Sequence, residues 1–434
     1  MSSPVAQEII RSTILHTPRN PFRDRRALET FEDGALLVSG GSIRQTGEYA
    51  AIRDWNPDVP VRDLRGGVIL PGMIDTHVHF PQLRIIGGMG CGLLEWLERT
   101  ALPEEVRMGE AGYAGAVAHE FVNALASHGT TTALVFGSHF AEATALLFEA
   151  AAAKGLRIAS GLVLSDTLLP EALHTSPERA WNESRALIAK FHGRNGMRYA
   201  VTPRFALSAS EGMLEVCGAL LREHADVAFQ THLNENTREI EQVLHAYPWA
   251  ENYLAVYERF GLVNGRSVFA HNVHATGCEL EQLAAVGASV AHCPCSNAAL
   301  GSGIFAMARH VGAGVRVALG TDVGAGTGFG MLKEALQCYM LQRLVPDGAS
   351  LTAAHLLYLA TRAGAEAMGV CAETGDFTPG KSADFIYLRP AEGSVLAAAI
   401  ARAESAEQLL ASVITLAGAE SIAEVRVRGR MVHG

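Results

Sequence analysis

The middle of the chain alternates short β-branched runs with longer segments rich in alanine, leucine and glutamate. Between about residues 71 and 375, runs such as "TTALVF" and "SVFAHNVH" precede segments such as "FAEATALLFEAAAAKG" and "CELEQLAAVG". About eight such strand-and-helix units over about 300 residues are typical of a (β/α)₈ barrel, whose working residues lie at the carboxyl ends of the strands. The alternative is a doubly wound open sheet. No GxGxxG motif follows an early strand, however, and "GGMGCG" at 87–92 has the wrong spacing.

The two ends of the chain lack this alternation and contain short predicted strands. "ALLVSGGSIRQTGEY" and "DLRGGVILPG" lie near the N-terminus, and "GKSADFIYLRP" and "IAEVRVRGRMVHG" lie near the C-terminus. We therefore expect an α/β fold with a (β/α)₈ TIM-type barrel over residues 71–375. A small β-sandwich domain, formed by residues 1–70 together with 376–434, should accompany it.

Composition favours a globular protein that binds a small, roughly neutral molecule. Hydrophobic residues make up 49% of the 434 residues and charged residues 18%, which suits a chain that buries a sizeable core. The formal net charge of -10 supplies no basic field for nucleic acid or anionic lipid. No apolar window approaches the length that spans a bilayer. We expect neither a nucleic-acid partner nor a membrane.

The N-terminal sequence and the cysteines favour a cytoplasmic location. "MSSPVAQEIIRST" lacks the positive region and long apolar run of an export signal. The 7 cysteines are odd in number and irregularly spaced, as expected for reduced thiols. In "HCPC", Cys293 and Cys295 have no partner motif at zinc-finger spacing, so structural thiols are the favoured interpretation.

Polar residues follow several predicted strands at the point where the apolar run ends. They are His77, His79, Arg204, His232, His271, His292 and Asp322. Strand ends of a barrel meet at one mouth, and a pair two residues apart, such as His77 and His79, faces one side of a strand. Taken alone, that pair also suits two core histidines bonded to the backbone. His232 and Asp322 complete three nitrogens and one oxygen, which fits zinc or ferrous iron and leaves a position for water.

A hydrolytic site of this kind also needs a group that moves protons. Glu235 follows His232 by three residues in "THLNE" and can lie beside the metal without binding it. His271 is placed to orient or deprotonate the water. The predicted catalytic residues are therefore Glu235, His271 and the ligand Asp322.

Several longer motifs resemble the amidohydrolase superfamily and, over nearly the full length, its guanine deaminase family. They are "PGMIDTHVHFPQ", "LLEWLERTALPEE", "TPRFALSASE", "THLNEN", "AHNVH", "HCPCSNAALGSGIF", "GTDVGAGTGFGML" and "GKSADFI". The resemblance implies one Zn²⁺ per chain, with Fe²⁺ possible, and Glu235 as the proton-transfer carboxylate. The implied metal ligands are His77, His79, His232 and Asp322. The implied substrate contacts are Gln82, Arg204 and Phe205.

The resemblance also implies a purine substrate, deamination of guanine to xanthine and ammonia, and a homodimer. Three positions depart from the family pattern, Asn234, Asn272 and Cys295, and we expect them at the pocket wall, where they affect substrate preference. The alternatives are deamination of another amino-substituted ring, such as an oxidised purine, a pterin or a triazine, and a non-catalytic scaffold protein.

Five side chains leave two interpretations open or favour a structural one. Trp96 has the helical spacing of a core residue, but the resemblance places its segment over the pocket, where it would contact substrate. Arg204 is predicted to bind the base, with a structural salt bridge as the alternative. Three histidines in loop-like contexts are expected at the surface: His128, His139 and His224.

Overall fold

The computed structural model describes residues 7–434, so the first six residues of the predicted N-terminal segment lie outside the described part. The chain forms two sheets. Four strands precede the barrel: β1 Gln7–His16, β2 Glu29–Ser39, β3 Ser42–Glu48 and β4 Val61–Pro71. The barrel strands are β5 Met73–His79, β6 Thr130–Phe136, β7 Arg157–Gly161, β8 Val163–Leu164, β9 Met197–Pro203, β10 Ala228–Leu233, β11 Ser267–His271, β12 Ser289–His292 and β13 Arg316–Leu319. Three strands follow: β14 Phe385–Leu388, β15 Ile422–Val427 and β16 Arg430–His433.

Helices connect the barrel strands and cover the barrel. The α-helices are α1 Tyr49–Trp55, α2 Leu93–Trp96, α3 Leu102–Arg107, α4 Ala111–Ser127, α5 Ala141–Lys154, α6 Pro177–Phe191, α7 Glu211–Glu223, α8 Thr237–Ala246, α9 Tyr253–Arg259, α10 Gly277–Val286, α11 Pro294–Ala299, α12 Met307–Gly312, α13 Met331–Gln342, α14 Ala353–Ala360, α15 Arg362–Ala367, α16 Val395–Arg402 and α17 Ala406–Leu416. Short 3₁₀ turns occupy Phe80–Ile85, Glu171–Leu173, Ala206–Ser208 and Ala419–Ser421, and Leu97–Ala101 is a π-helical turn. None of the described helices is long and apolar enough to cross a membrane.

The barrel strands run parallel in the order β13-β12-β11-β10-β9-β7-β6-β5, with β8 paired to β9. They are buried on both faces, as in β6, where every residue is buried. Hydrogen bonds join the first barrel strand to the last strand and the residues that follow it. Thr76 Oγ1 donates to Leu319 O (2.8 Å), Asp322 N donates to His77 O (2.8 Å) and His79 N donates to Val323 O (2.9 Å). These bonds close the barrel, and the predicted (β/α)₈ barrel is confirmed.

Both ends of the chain build the second sheet, as predicted. It is a seven-stranded mixed sheet in the order β16-β15-β14-β4-β1-β2-β3. Strand β4 continues through Gly72 into β5, so the last strand of this sheet leads directly to the two histidines of "THVH". A Cβ at Gly72 would lie 2.3 Å from the Thr131 hydroxyl, so only glycine fits this junction.

The segment after residue 375 contributes to the barrel surface as well as to the sheet. Leu410 and Val413 of α17 are fully buried and belong to the same core cluster as the barrel strands. The second sheet packs partly against the barrel core and partly on clusters of its own. The boundaries 1–70, 71–375 and 376–434 stay a prediction.

Candidate active site

Four side chains converge where β5, β10 and β13 end. The Nε2 atoms of His77 and His79 lie 3.2 Å apart, and those of His79 and His232 also lie 3.2 Å apart. Asp322 Oδ1 is 3.2 Å from His77 Nε2 and 3.1 Å from His79 Nε2. Ligands held tetrahedrally at about 2 Å from one ion lie about 3.3 Å from each other. The buried group therefore fits a divalent metal, and the structure brings together the four predicted ligands.

The ligands are held by further hydrogen bonds. His232 Nδ1 donates to Arg204 O (2.6 Å), which leaves its Nε2 lone pair for a metal. Asp75 accepts bonds from His77 N (3.1 Å), Thr321 N (3.0 Å) and Thr321 Oγ1 (2.5 Å), so it ties β5 to the segment that carries Asp322. Asp75 was not among the predicted site residues, although its period-two spacing with the histidine pair marks it as a residue of the same face.

The strand ends turn sharply as they deliver these side chains. Asn234, His271, Asn272 and Asp322 all have φ values between +49° and +68°. This left-handed region is costly for residues other than glycine, and such residues cluster at functional sites, where the surrounding structure holds them. The segments that carry Asn234, His271, Asn272 and Asp322 at the mouth are therefore strained.

Burial and neighbouring charges set the protonation of the ligands. Burial lowers the pKa of His77 to about 3, and it also holds the pKa of His232 well below its ordinary value. Burial alone would raise the pKa of Asp322, but its close contacts with His77 and His79 bring it well below the usual range. Neutral imidazoles and an ionised carboxylate are the forms that bind a metal.

Glu235 lies beside the metal-ligand group without belonging to it. Its Oε1 accepts a bond from Ser302 Oγ (3.1 Å), and its Oε2 lies 3.5 Å from His271 Nε2. Burial, together with the negative charge of Asp322, raises the pKa of Glu235 to about 8. Such a carboxyl group can both accept and release a proton near neutral pH.

Neighbouring polar groups hold His271 and Glu235 in place. His271 Nδ1 donates to Asn297 Oδ1 (2.9 Å), which directs its Nε2 toward Glu235. Asn236 is the N-cap of α8, and Glu239, the third residue of the helix, completes its capping box; Glu239 Oε2 also accepts a bond from Glu235 N (3.1 Å). The capping box thus places the predicted proton carrier at the start of a helix.

Apolar side chains cover the metal-ligand group and form one wall of a small cavity. They are Leu93, Trp96, Leu97, Phe205, Leu300 and Ala325. Trp96 and Phe205 are 2% and 3% exposed and belong to one hydrophobic cluster, so Trp96 is at once a core residue and a cavity residue. Flat rings and aliphatic groups of this kind suit an aromatic, planar ligand.

Gln82 and Arg204 face the same cavity, and both bind a carboxylate that the sequence analysis missed. Glu105 Oε1 accepts bonds from Gln82 Nε2 (2.8 Å) and Arg204 Nη2 (2.9 Å). Arg204 therefore both lines the cavity and forms the salt bridge that was its alternative interpretation. His139 Nε2 donates to Glu105 Oε2 (3.1 Å) and is 2% exposed, so its predicted surface position is wrong. His128 and His224 are partly exposed.

The family departures lie behind the cavity rather than at its wall. Asn234 Nδ2 donates to Asn272 Oδ1 (3.1 Å) and to Glu279 Oε1 (3.0 Å). Cys295 N donates to Glu334 Oε2 (3.0 Å). The expectation that Asn234, Asn272 and Cys295 touch the pocket is wrong. Asn234 and Asn272 instead hold two strand ends together, since asparagine tolerates a left-handed backbone and the two side chains pair.

His292, at the end of β12, does not join the metal-ligand group. It is fully buried and its ring stacks on Phe305 with centroids 4.3 Å apart. Both of its ring nitrogens lack a hydrogen-bond partner within residues 7–434. All seven cysteines are free, in line with the structural interpretation of "HCPC".

Residues 68–432 match the model of the amidohydrolase family. The chain is 57% identical over 431 residues to a probable guanine deaminase of Deinococcus radiodurans, covering 98% of both chains. It is 37% identical over 437 residues to the guanine deaminase of Escherichia coli K12, covering 100% of this chain and 99% of that one.

Solved structures resemble the fold over almost all its length. E. coli guanine deaminase aligns with a TM-score of 0.93 and 36% identity, covering 98% of this chain and 99% of that one. Guanine deaminase from C. acetobutylicum, solved with guanine bound in its active site, aligns with a TM-score of 0.91 and 25% identity. That alignment covers 98% of this chain and 100% of that one.

Proposed function

The chain belongs to the amidohydrolase family, and we propose that it is a guanine deaminase, which hydrolyses guanine to xanthine and ammonia. The observation that carries the proposal is one cavity that holds a three-histidine, one-aspartate group beside Glu235 and also contains Arg204 and Gln82. The relative from C. acetobutylicum, with guanine in its active site, supports the same substrate. Such a cavity places a metal-ligand group suited to hydrolysis beside groups that can bind the hydrogen-bonding edge of a purine base.

The proposed metal is one Zn²⁺ per chain, bound by His77, His79, His232 and Asp322, and Fe²⁺ suits the same donors. When bound, such a metal lowers the pKa of a water molecule to about 7 and so supplies a nucleophile near neutral pH. A complete ligand group argues against the scaffold alternative, in which ligands would be lost.

Glu235 is the proposed proton carrier of the reaction. Its Oε atoms take one proton from the attacking water and give it to the ring nitrogen, and they then take the second proton from the resulting hydroxyl and give it to the departing amine. The raised pKa of Glu235, about 8, suits both directions of transfer. His271 orients the Glu235 carboxyl group and the water through its Nε2 atom, which lies 3.5 Å from Glu235 Oε2.

Arg204 and Gln82 are the proposed groups that distinguish guanine from adenine. Guanine presents a carbonyl beside a protonated ring nitrogen, whereas adenine presents an amine beside a bare nitrogen. Arg204 offers only donors, so it matches the carbonyl and opposes the amine. Because a buried polar site rejects an analogue that leaves it unpaired, adenine turnover should be lower by about 10⁴-fold or more. Phe205 and Trp96 supply apolar surface for the flat ring.

Three further properties are part of the proposal. We propose a role in purine catabolism, which follows from the products of the reaction. A homodimer is proposed from the family resemblance. A cytoplasmic location fits the seven free cysteines, since unpaired thiols persist in a reducing compartment.

Ammonia release from a panel of amino-substituted rings tests the proposal. Purified protein is assayed with guanine, 8-oxoguanine, adenine, cytosine, pterin and melamine, and its metal content is measured in parallel. We expect guanine to give the highest kcat/KM, with at least half an equivalent of tightly bound zinc or iron per chain. Faster turnover of another ring would replace guanine as the substrate. Little metal and no turnover after reloading would favour the scaffold alternative.

A further inference from the structure

Glu105 is a buried carboxylate that stands behind the two groups proposed to bind the base edge. It lies on α3, is 3% exposed, and accepts bonds from Gln82 Nε2 (2.8 Å) and Arg204 Nη2 (2.9 Å) on one oxygen. Its other oxygen accepts bonds from His139 Nε2 (3.1 Å) and Arg204 Nε (3.4 Å). One carboxylate therefore joins three elements that are far apart in the sequence.

The carboxylate determines which way round the Gln82 amide lies. Gln82 Nε2 donates to Glu105, and Gln82 Oε1 accepts a bond from Gly324 N (3.0 Å). In the reversed amide, the carbonyl oxygen would face a carboxylate and the amino group would face an N–H donor. One N–H and one oxygen lone pair of Gln82 therefore remain available in a fixed arrangement.

Glu105 also balances the charge of Arg204 inside the protein. Both side chains are 4% exposed. Burial alone would raise the pKa of Glu105, but Arg204 and His139 hold it well below the usual range, so the carboxylate is ionised. A buried guanidinium without such a partner would attract an anion strongly. The pair leaves the cavity suited to an uncharged ligand.

We propose that Glu105 is a positioning residue that sets the specificity of the cavity for an uncharged purine. It orients the Gln82 amide and the Arg204 guanidinium toward the base edge, and it offsets the charge of Arg204 so that anionic purines bind weakly. The inference rests on the proposed function for the identity of the base. Glu105 acts through Gln82 and Arg204 and does not itself contact the substrate.

Two variants at this position separate orientation from charge balance. Glu105→Gln keeps the shape but removes the charge and one acceptor, whereas Glu105→Asp keeps the charge but moves the oxygens away from Gln82 and Arg204. The matched control is Glu104→Gln. Glu104 is a buried neighbour on the same helix whose carboxylate accepts bonds from Tyr113 and Arg107 instead.

The measurements are guanine kinetics, metal content, thermal unfolding and inhibition by two purines that cannot be deaminated in this way. Hypoxanthine is uncharged at neutral pH and shares the carbonyl edge of guanine, whereas urate is an anion. In Glu105→Gln we expect KM for guanine to rise by about 10-fold or more, with a smaller fall in kcat and full metal content. The preference for hypoxanthine over urate should shrink by about 10-fold. Glu105→Asp should raise KM without changing that preference.

Several outcomes would overturn the inference. They are near wild-type KM in both variants, losses no larger than those of Glu104→Gln, or equal weakening of hypoxanthine and urate in Glu105→Gln. If Glu105→Gln does not fold, Glu105→Asp decides: an unchanged KM overturns the positioning role and a raised KM supports it. Wild-type turnover of guanine separately tests the proposed function, so failure of one is distinguishable from failure of the other.

Discussion

The two ends of the barrel both hold clusters of charged side chains, and the clusters differ in how their charges are paired. At the amino ends of the strands, Arg157 binds Asp384 (2.9 Å) and Glu373 (3.2 Å), and Arg198 also binds Glu373. At the mouth, one nitrogen from each of three histidines and one carboxylate oxygen instead lie within 4.8 Å of one another. Paired charges suit a joint between the barrel and the second sheet, whereas converging donor atoms suit a bound ion.

The backbone conformation also differs between the two ends of the barrel. At the mouth, Asp322 and His271 have φ values of +49° and +68°. At the other end, Arg157 and Arg198 lie within regular strands. Left-handed residues also occur at the base, where Asn195 and Arg428 have φ values of +53° and +51°. At the mouth, however, such residues include a metal-ligand aspartate and the proposed water-orienting histidine, which fits a concentration of function at that end.

The largest expected effect comes from removing a metal ligand. His232→Ala deletes one of four donors, so metal content and deaminase activity should fall together, with activity lower by about 10³-fold or more. Metal analysis and guanine turnover are measured on the same sample. The matched control is His292→Ala, which removes another buried histidine at a strand end and should keep the metal. Equal loss of metal in the control would mean that the ligand group includes His292.

The next effect separates proton transfer from metal binding at the mouth. Glu235→Gln keeps the size of the side chain but cannot carry a proton, so kcat should fall by about 10²-fold or more while the metal is retained. Glu241→Gln, on the exposed face of α8, is the control and should leave kcat unchanged. Loss of metal in Glu235→Gln would make Glu235 a ligand rather than a proton carrier.

The third effect compares two arginines that form salt bridges at opposite ends of the barrel. Arg204→Gln removes the donors proposed for the guanine carbonyl, so kcat/KM should fall by about 10²-fold, mainly through KM, with metal and fold retained. Arg204→Lys keeps the charge but loses the planar fork, and it should also lose guanine turnover. Arg198→Gln is the control and should leave kcat/KM unchanged. Near wild-type kcat/KM in Arg204→Gln would leave only a structural salt bridge at this position.

The smallest kinetic effect is expected at the base of the barrel. Asp384 accepts bonds from Arg157 Nε (2.9 Å), Ser382 Oγ (2.7 Å) and Arg428 N (2.7 Å). Asp384→Asn should lower the free energy of unfolding by about 2 kcal/mol and leave kcat/KM unchanged. Asp33→Asn, at a half-exposed salt bridge with Arg11, should cost less than about 1 kcal/mol. A large fall in kcat/KM for Asp384→Asn would contradict the division of roles between the two ends.

Much of the fold and the metal-ligand group could be predicted from the sequence, because both depend on local patterns. Alternating strands and helices indicated the barrel, and polar residues at the ends of apolar runs indicated the mouth. His77 and His79 share one strand, and His232 and Asp322 end two others. The carboxyl ends of parallel strands meet at the mouth whatever the conformation of the loops. These positions could therefore be predicted without knowing how the loops fold.

The base-binding side of the cavity was less predictable, because loops and short helices form it. Glu105 meets Gln82 and Arg204 across 23 and 99 residues of sequence, and no periodic pattern connects them. His139 was placed at the surface because it follows β6 in a loop, yet α3 folds over it and brings Glu105 to it. Contacts of this kind depend on tertiary packing rather than on local sequence.

Metal reconstitution tests most directly whether the four-ligand group is the catalytic centre. Metal is stripped from the purified protein by a chelator, Zn²⁺ is returned in steps, and guanine deamination is measured at each step. We expect negligible activity without metal and a linear rise that ends at about one equivalent per chain, as one four-ligand group requires. Activity that persists without metal, or that continues to rise well beyond one equivalent, would contradict it.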